Sequence, residues 1–438
     1  MNRTLCLIPG FLLLALAVAC QSHAPSPVEA WQAMRFGMFV HWGPVAQKGT
    51  EIGWSRGRQV PIAEYDQLYK TFDPSRFDAD AWVTLAKDAG MRYLVLTAKH
   101  HDGFCLWPSR YTDYDIASTP YKKDILAALS AACRRQGIQF GVYYSLADWH
   151  HPDYPLGSPG GKTHKPAPDM PRYFGYVERQ TAELIDNYGP LGVMWFDGEW
   201  EKPWTNAYGA QLEAELKARQ PGLLVNNRIC KGRQGMKGTT QDTGRVKGDF
   251  DTPEQRVGKF QRDRPWESCI TLCRQWAWKP GDKMKSLETC IRTLLQTIGG
   301  DGNLLLNVGP RPDDTIEPRQ VARLKEMGAW IRRYSTAIYG TRGGPYKPGK
   351  WGASTCKGNK LYLFVTRWPA DGPLLLPSLP SRILGSRVLS EGTAKVKQSD
   401  GALSIEMIPS MRSKIATVLE LTLDTEVYDL PPVPVDLP

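Results

Sequence analysis

The chain has 438 residues, 42% hydrophobic and 23% charged, with a net charge of +10. This is the composition of an ordinary globular protein, longer than one compact core usually grows, so two domains are expected. Its 55 Lys and Arg residues are scattered, with no block of like charge and no nucleic-acid motif, which argues against a nucleic-acid binder; nine cysteines at irregular spacing make no disulfide framework.

Residues 1–19 read as a signal peptide. Arg3 supplies the positive charge, Leu5 to Ala19 the apolar run, and Ala17-Val18-Ala19 the small-residue cleavage site. Cys20 directly follows and is a candidate for acylation, as in bacterial lipoproteins. The expectation is an exported protein, in the periplasm or anchored at the outer membrane of a bacterium, with plain secretion as the alternative. A lipid on Cys20 is the one membrane attachment expected, since no later run reaches 18 apolar residues.

Residues 28–340 alternate short apolar runs with amphipathic stretches. Strands are predicted at Phe36 to Trp42, Arg92 to Thr97, Ile138 to Tyr144, Leu191 to Asp197 and Leu223 to Asn226. Val246 to Phe250, Ile270 to Cys273 and Leu304 to Val308 are taken as strands six to eight. Helices are predicted between them at Asp80 to Asp88, Lys123 to Arg135, Tyr173 to Tyr188, Tyr208 to Arg219 and Leu287 to Ile298, with a last one at Gln320 to Tyr334. Strand-then-helix units of this number predict a parallel (β/α)8 barrel, with a doubly wound open sheet as the alternative. From residue 346 to 438, Pro and Gly punctuate short β-like runs such as Lys360 to Thr366, which predicts a small C-terminal antiparallel β-sandwich.

Polar residues recur near the strand ends. His41 follows strand one, Lys99-His100-His101 strand two, and Tyr143-Tyr144-Ser145 ends strand three. Trp195 and Asp197 end strand four, Asn227-Arg228 strand five, Thr252-Pro253-Glu254 follows strand six, and Trp266-Glu267 precedes strand seven. A barrel gathers the carboxyl ends of its strands on one face, so most of these groups are expected to share one pocket. The histidines, Tyr144, Trp195 and Arg228 suit sugar hydroxyls and an apolar sugar face. Asp197 and Glu254 are two carboxylates on separate segments, as glycoside hydrolysis needs, and Glu267 is the fallback for the second.

These stretches resemble glycoside hydrolase family 29, the retaining α-L-fucosidases. The resemblance runs from Phe36-Gly37-Met38-Phe39-Val40-His41-Trp42-Gly43 through Lys99-His100-His101-Asp102-Gly103-Phe104, Tyr143-Tyr144-Ser145 and Trp195-Phe196-Asp197-Gly198. It continues to Trp266-Glu267-Ser268-Cys269 and to Gly302 through Pro310. It implies Asp197 as nucleophile and Glu254 (otherwise Glu267) as acid/base. It also implies a fucose pocket of His41, Trp54, His100, His101, Tyr144, Trp195 and Arg228, with Glu51 and Trp278 as weaker carry-overs. Asn227 stands where the family often has Asp. The implied reaction releases terminal L-fucose from a fucosylated oligosaccharide or glycoprotein glycan by double displacement, with no metal and no organic cofactor. Competing readings are an α-L-galactosidase, a catalytically silent sugar-binding lipoprotein, and a metal-dependent hydrolase built on His41, His100 and His101.

Overall fold

The computed structural model describes residues 24–241 and 247–436; the expected signal peptide, residues 1–19, and Cys20 lie outside them. Seven parallel strands form one sheet: β1 (Phe36–Val40), β2 (Tyr93–Lys99), β3 (Gln139–Ser145), β4 (Val193–Asp197), β5 (Leu224–Val225), β6 (Glu267–Thr271) and β7 (Asn303–Val308). Their order is β5-β4-β3-β2-β1-β7-β6. The ring closes through single parallel bridges, Asn226 to Phe250, Asp251 to Trp266 and Glu254 to Cys269. The eighth barrel position is therefore the segment 250–254, an irregular connector where the sequence predicts a sixth strand at 246–250. The seventh predicted strand, Ile270 to Cys273, begins three residues earlier, at Glu267.

The strands are near-continuous apolar runs because both of their faces are buried. Inward residues Phe39, Tyr93, Val95, Tyr143, Val193, Trp195, Leu224, Phe250, Cys269 and Leu305 form one cluster. Outward residues such as Met38, Leu94, Val142, Tyr144, Met194 and Phe196 pack beneath the helices in another. The helices are α1 (Pro27–Met34), the single turn α2 (Ile62–Tyr65), α3 (Ala79–Asp88), α4 (Ile125–Gln136), α5 (Met170–Tyr188), α6 (Asn206–Arg219), α7 (Leu287–Gly299) and α8 (Pro318–Arg333). Side chains of Asp78, Asp124, Asp169, Thr205 and Ser286 cap the starts of α3 to α7, satisfying amides that a helix leaves unpaired. Helix α1 stoppers the amino-terminal end of the barrel: the Trp31 ring lies 4.5 Å from that of Phe250. Asn303 Nδ2 donates to the Trp31 carbonyl at 2.8 Å.

Two antiparallel sheets follow. One has five strands, β8 (Arg342–Gly343), β9 (Gly352–Lys357), β10 (Lys360–Val365), β12 (Ile383–Val388) and β15 (Thr417–Leu423), ordered β12-β15-β10-β9-β8. The other has three, β11 (Leu374–Pro377), β13 (Lys395–Gln398) and β14 (Ala402–Glu406), ordered β11-β14-β13. Their facing leucines, among them Leu361, Leu363, Leu421, Leu374, Leu376 and Leu403, make a separate core. Asp301, almost fully buried, takes Arg35 from the barrel on one side and Arg342 on the other, tying the sandwich to the barrel floor.

Candidate active site

The period of two along β4 places Val193, Trp195 and Asp197 on the inward face, with Asp197 last and nearest the barrel mouth. The chain must turn sharply after it. Gly198 has φ +99°, and a Cβ there would stand 2.7 Å from the Ala147 nitrogen, so only glycine fits. Asp197 lines a cavity of about 270 Å³ with His41, Trp54, His100, Tyr143, Trp195, Arg228 and Glu254. Phe39, Trp276, Cys269, Trp200, Arg233, Gly235 and Met236 complete the wall.

Arg228 organises the carboxylates. Its Nη1 donates to Asp197 Oδ1 at 2.7 Å and its Nη2 to Glu254 Oε2 at 2.9 Å. Nε is held by Thr252 Oγ1 at 2.9 Å, and the guanidinium lies 4.5 Å above the Trp195 ring. Tyr143 donates its hydroxyl to Asp197 Oδ2 at 3.0 Å. Burial works to raise the Asp197 pKa, but the Arg228 and Arg233 guanidiniums outweigh it and hold the carboxyl below its ordinary value. An ionised, oriented carboxylate results. Asn227 is a brace: its side chain donates to the Gly238 carbonyl at 2.7 Å and accepts from Thr252 Oγ1 at 2.9 Å.

The histidines are kept neutral by burial, His41 with its pKa near 3, His101 near 4 and His100 well below normal. The hydrogen-bond network assigns their tautomers. Asn307 donates its amide to the Trp276 carbonyl, so its oxygen accepts from His41 Nδ1 at 2.6 Å. Ser145 donates its hydroxyl to the Ala147 carbonyl, so its oxygen accepts from His101 Nδ1 at 2.6 Å. Both rings therefore keep a bare Nε2: that of His41, which lines the cavity, is an acceptor for a sugar hydroxyl, and that of His101 is buried 3.6 Å from Asp197 Oδ2.

Two residues expected in the pocket stand elsewhere. Tyr144 is adjacent to Tyr143 on β3, so it points to the opposite face; its hydroxyl donates to Gln180 Oε1 at 2.8 Å beneath α5. Tyr143 is the tyrosine of the site. Glu267 points into the barrel but from the first residue of β6, one layer too deep. It is 1% exposed, accepts from Trp195 Nε1 at 3.1 Å and from the Tyr93 hydroxyl, and burial lifts its pKa to about 8. It supports Trp195 from below and does not reach the cavity. Glu51 and Trp278 also lie outside the lining; Glu51 accepts the backbone amides of Trp276 and Ala277, each at 2.9 Å.

Sequence reasoning missed Glu199 and Arg233. Glu199 follows Asp197 by two residues, is buried, and accepts from Arg233 Nε at 2.7 Å. Burial, with Asp197 beside it, raises its pKa to about 7 against the pull of Arg233 and Arg228. The signal was the acid directly after Asp197-Gly198. Among the described residues no three His, Cys, Asp or Glu side chains are arranged to hold a metal ion.

The family model described as Alpha-L-fucosidase matches residues 17–336. The human plasma alpha-L-fucosidase is 30% identical over 400 residues, covering 82% of this chain and 80% of that protein. Among solved structures, alpha-L-fucosidase isoenzyme 1 from Paenibacillus thiaminolyticus superposes with a TM-score of 0.81 at 32% identity, over 91% of this chain and 99% of that one. A GH29 alpha-L-fucosidase from Bacteroides thetaiotaomicron, trapped as a covalent intermediate with 2-fluoro-fucosyl fluoride in a Glu-to-Gln variant, gives 0.81 at 27% identity, over 92% and 97%.

Proposed function

This chain belongs to the alpha-L-fucosidase family of glycoside hydrolases, and from that premise we propose that Asp197 and Glu254 together hydrolyse terminal α-L-fucosides with retention. The observation that carries the reading is Asp197 itself, ionised, buried and gripped by Arg228 and Tyr143 at the end of β4. A carboxylate so fixed is a nucleophile whose lone pairs are aimed and poorly hydrated.

In the first step an Asp197 oxygen bonds to the anomeric carbon. The glycosidic bond breaks, and its electron pair leaves on the departing oxygen, which takes a proton from Glu254. In the second step Glu254, now a carboxylate, takes a proton from water; that oxygen attacks the anomeric carbon and frees Asp197. One water is consumed and the configuration is retained. To act as the acid Glu254 must leave Arg228, and its side chain, 19% exposed at the rim, has room to turn. His41 supplies a hydroxyl acceptor, and Trp54 and Trp195 an apolar wall, for the sugar. Fucosylated oligosaccharide or glycoprotein glycans are the proposed substrates. The charged n-region, apolar run and Ala17-Val18-Ala19 before Cys20 support an exported, lipid-anchored enzyme.

The test is hydrolysis of nitrophenyl α-L-fucoside and α-L-galactoside. Wild type should prefer the fucoside, and Asp197→Ala should lose about 10⁴-fold or more in kcat. Preference for the galactoside, or an active Asp197→Ala enzyme, overturns the assignment.

A further inference from the structure

Seven large hydrophobic side chains are strongly exposed among the described residues, and two of them, Trp200 at 40% and Met236 at 49%, sit on the rim of the same cavity. Trp200 follows β4 by three residues. Its ring lies 6.3 Å from that of Trp54, only 13° from parallel, and edge-on to His101 at 5.3 Å. Met236 stands on the turn after β5, where Arg233 and Thr240 pair antiparallel.

The two loops are pinned together. Arg233 Nε donates to Glu199 Oε1 at 2.7 Å, its Nη1 to the Gly235 carbonyl at 2.5 Å, and its guanidinium lies 5.9 Å from the Trp200 ring. The Arg233–Glu199 pair is almost wholly buried, so the rim is built as a rigid unit. Glu254 is stitched to it directly, because its backbone amide donates to the Met236 carbonyl at 3.0 Å. The acid must face the departing oxygen, so Met236 flanks the side on which the leaving group stands. Leaving a tryptophan and a methionine in water forgoes burial that a bound apolar surface recovers.

We infer that Trp200 and Met236 form the leaving-group subsite, a platform that takes the C–H face of the sugar next to the fucose. This rests on the fucosidase reading and adds the shape of the partner sugar: a pyranose that lies flat on an indole. Trp200 is a specificity-determining residue here. Arg233 and Glu199 are positioning residues that act through it.

The test compares kcat/KM on an α-L-fucosyl-N-acetylglucosamine disaccharide and on α-L-fucosyl fluoride, which has no leaving sugar. For Trp200→Ala the loss on the disaccharide should exceed the loss on the fluoride by about tenfold or more. Trp200→Phe should restore most of the difference, and the inhibition constant of L-fucose reports whether the inner pocket is intact. Equal losses on both substrates would show that Trp200 only shapes the fucose pocket, and that overturns the inference, as does no loss on either. A wild type that cleaves neither substrate brings down the fucosidase reading itself, and the inference with it.

Discussion

Tyr143 and Tyr144 are neighbours of the same type, and the two faces of β3 give them opposite fates. Tyr143→Phe removes one hydrogen bond, at 3.0 Å, to the ionised Asp197. A hydrogen bond to a charged group contributes about 1.5–3 kcal/mol, and about 1.4 kcal/mol is a factor of ten, so kcat/KM should fall by roughly 10- to 150-fold. Tyr144→Phe removes the bond to Gln180, whose oxygen is then left unpaired in a fully buried side chain. That costs about 1–3 kcal/mol of stability and touches nothing in the cavity. Urea denaturation with aryl fucoside kinetics on both variants separates the effects. A stable, catalytically crippled Tyr144→Phe beside a fully active Tyr143→Phe would refute the register on which the site is built.

Glu267→Gln should keep kcat/KM within a few-fold of wild type, whereas Glu254→Gln should lose about 10²-fold or more on a disaccharide. The burial-raised pKa of Glu267, about 8, means the folded state holds a proton that the unfolded state has released above its ordinary value of 4.5. This group's contribution is therefore fully present at low pH and falls as pH rises toward 8, by roughly 1.4 kcal/mol per unit. Thermal unfolding should show Glu267→Gln matching wild type near pH 5 and exceeding it near pH 8; a parallel pair of curves counts against the buried, protonated glutamate. Glu51→Ala frees the Trp276 and Ala277 amides and with them the wall beside His41, so KM should rise several-fold with kcat less affected. Dialysis against a strong chelator should leave activity unchanged, and loss that zinc restores would favour the histidine-metal reading.

The barrel was legible because parallel strands are long apolar runs and their carboxyl ends carry the polar residues in chain order. His41, His100, His101, Trp195, Asp197, Arg228 and Glu254 were all found by that rule, and the structure brings them together. The same double burial hid the choice between Tyr143 and Tyr144. With both faces buried there is no polar alternation to say which side is inside. Glu267 misled for a related reason: it is a buried acid on an inward position, but at the start of its strand, and only the observed strand limits reveal that. Residues 247–255 gave a weak strand signal because they pair by isolated bridges, one on the β5 side and two on the β6 side, without a ladder to favour β-branched residues. The Glu199–Arg233 pair joins residues 34 apart in sequence across two loops, a contact no local pattern encodes.

The central claim is that Asp197 forms the bond to the sugar. It is tested most directly by giving Asp197→Ala an external nucleophile, azide, with an activated aryl α-L-fucoside, and reading the product's anomeric configuration by proton NMR. Azide entering the space the carboxylate vacates should restore turnover and give β-L-fucosyl azide, while Glu254→Ala with azide should give the α-anomer. An α-azide from Asp197→Ala, or turnover of that variant without azide, contradicts the assignment of Asp197 as nucleophile.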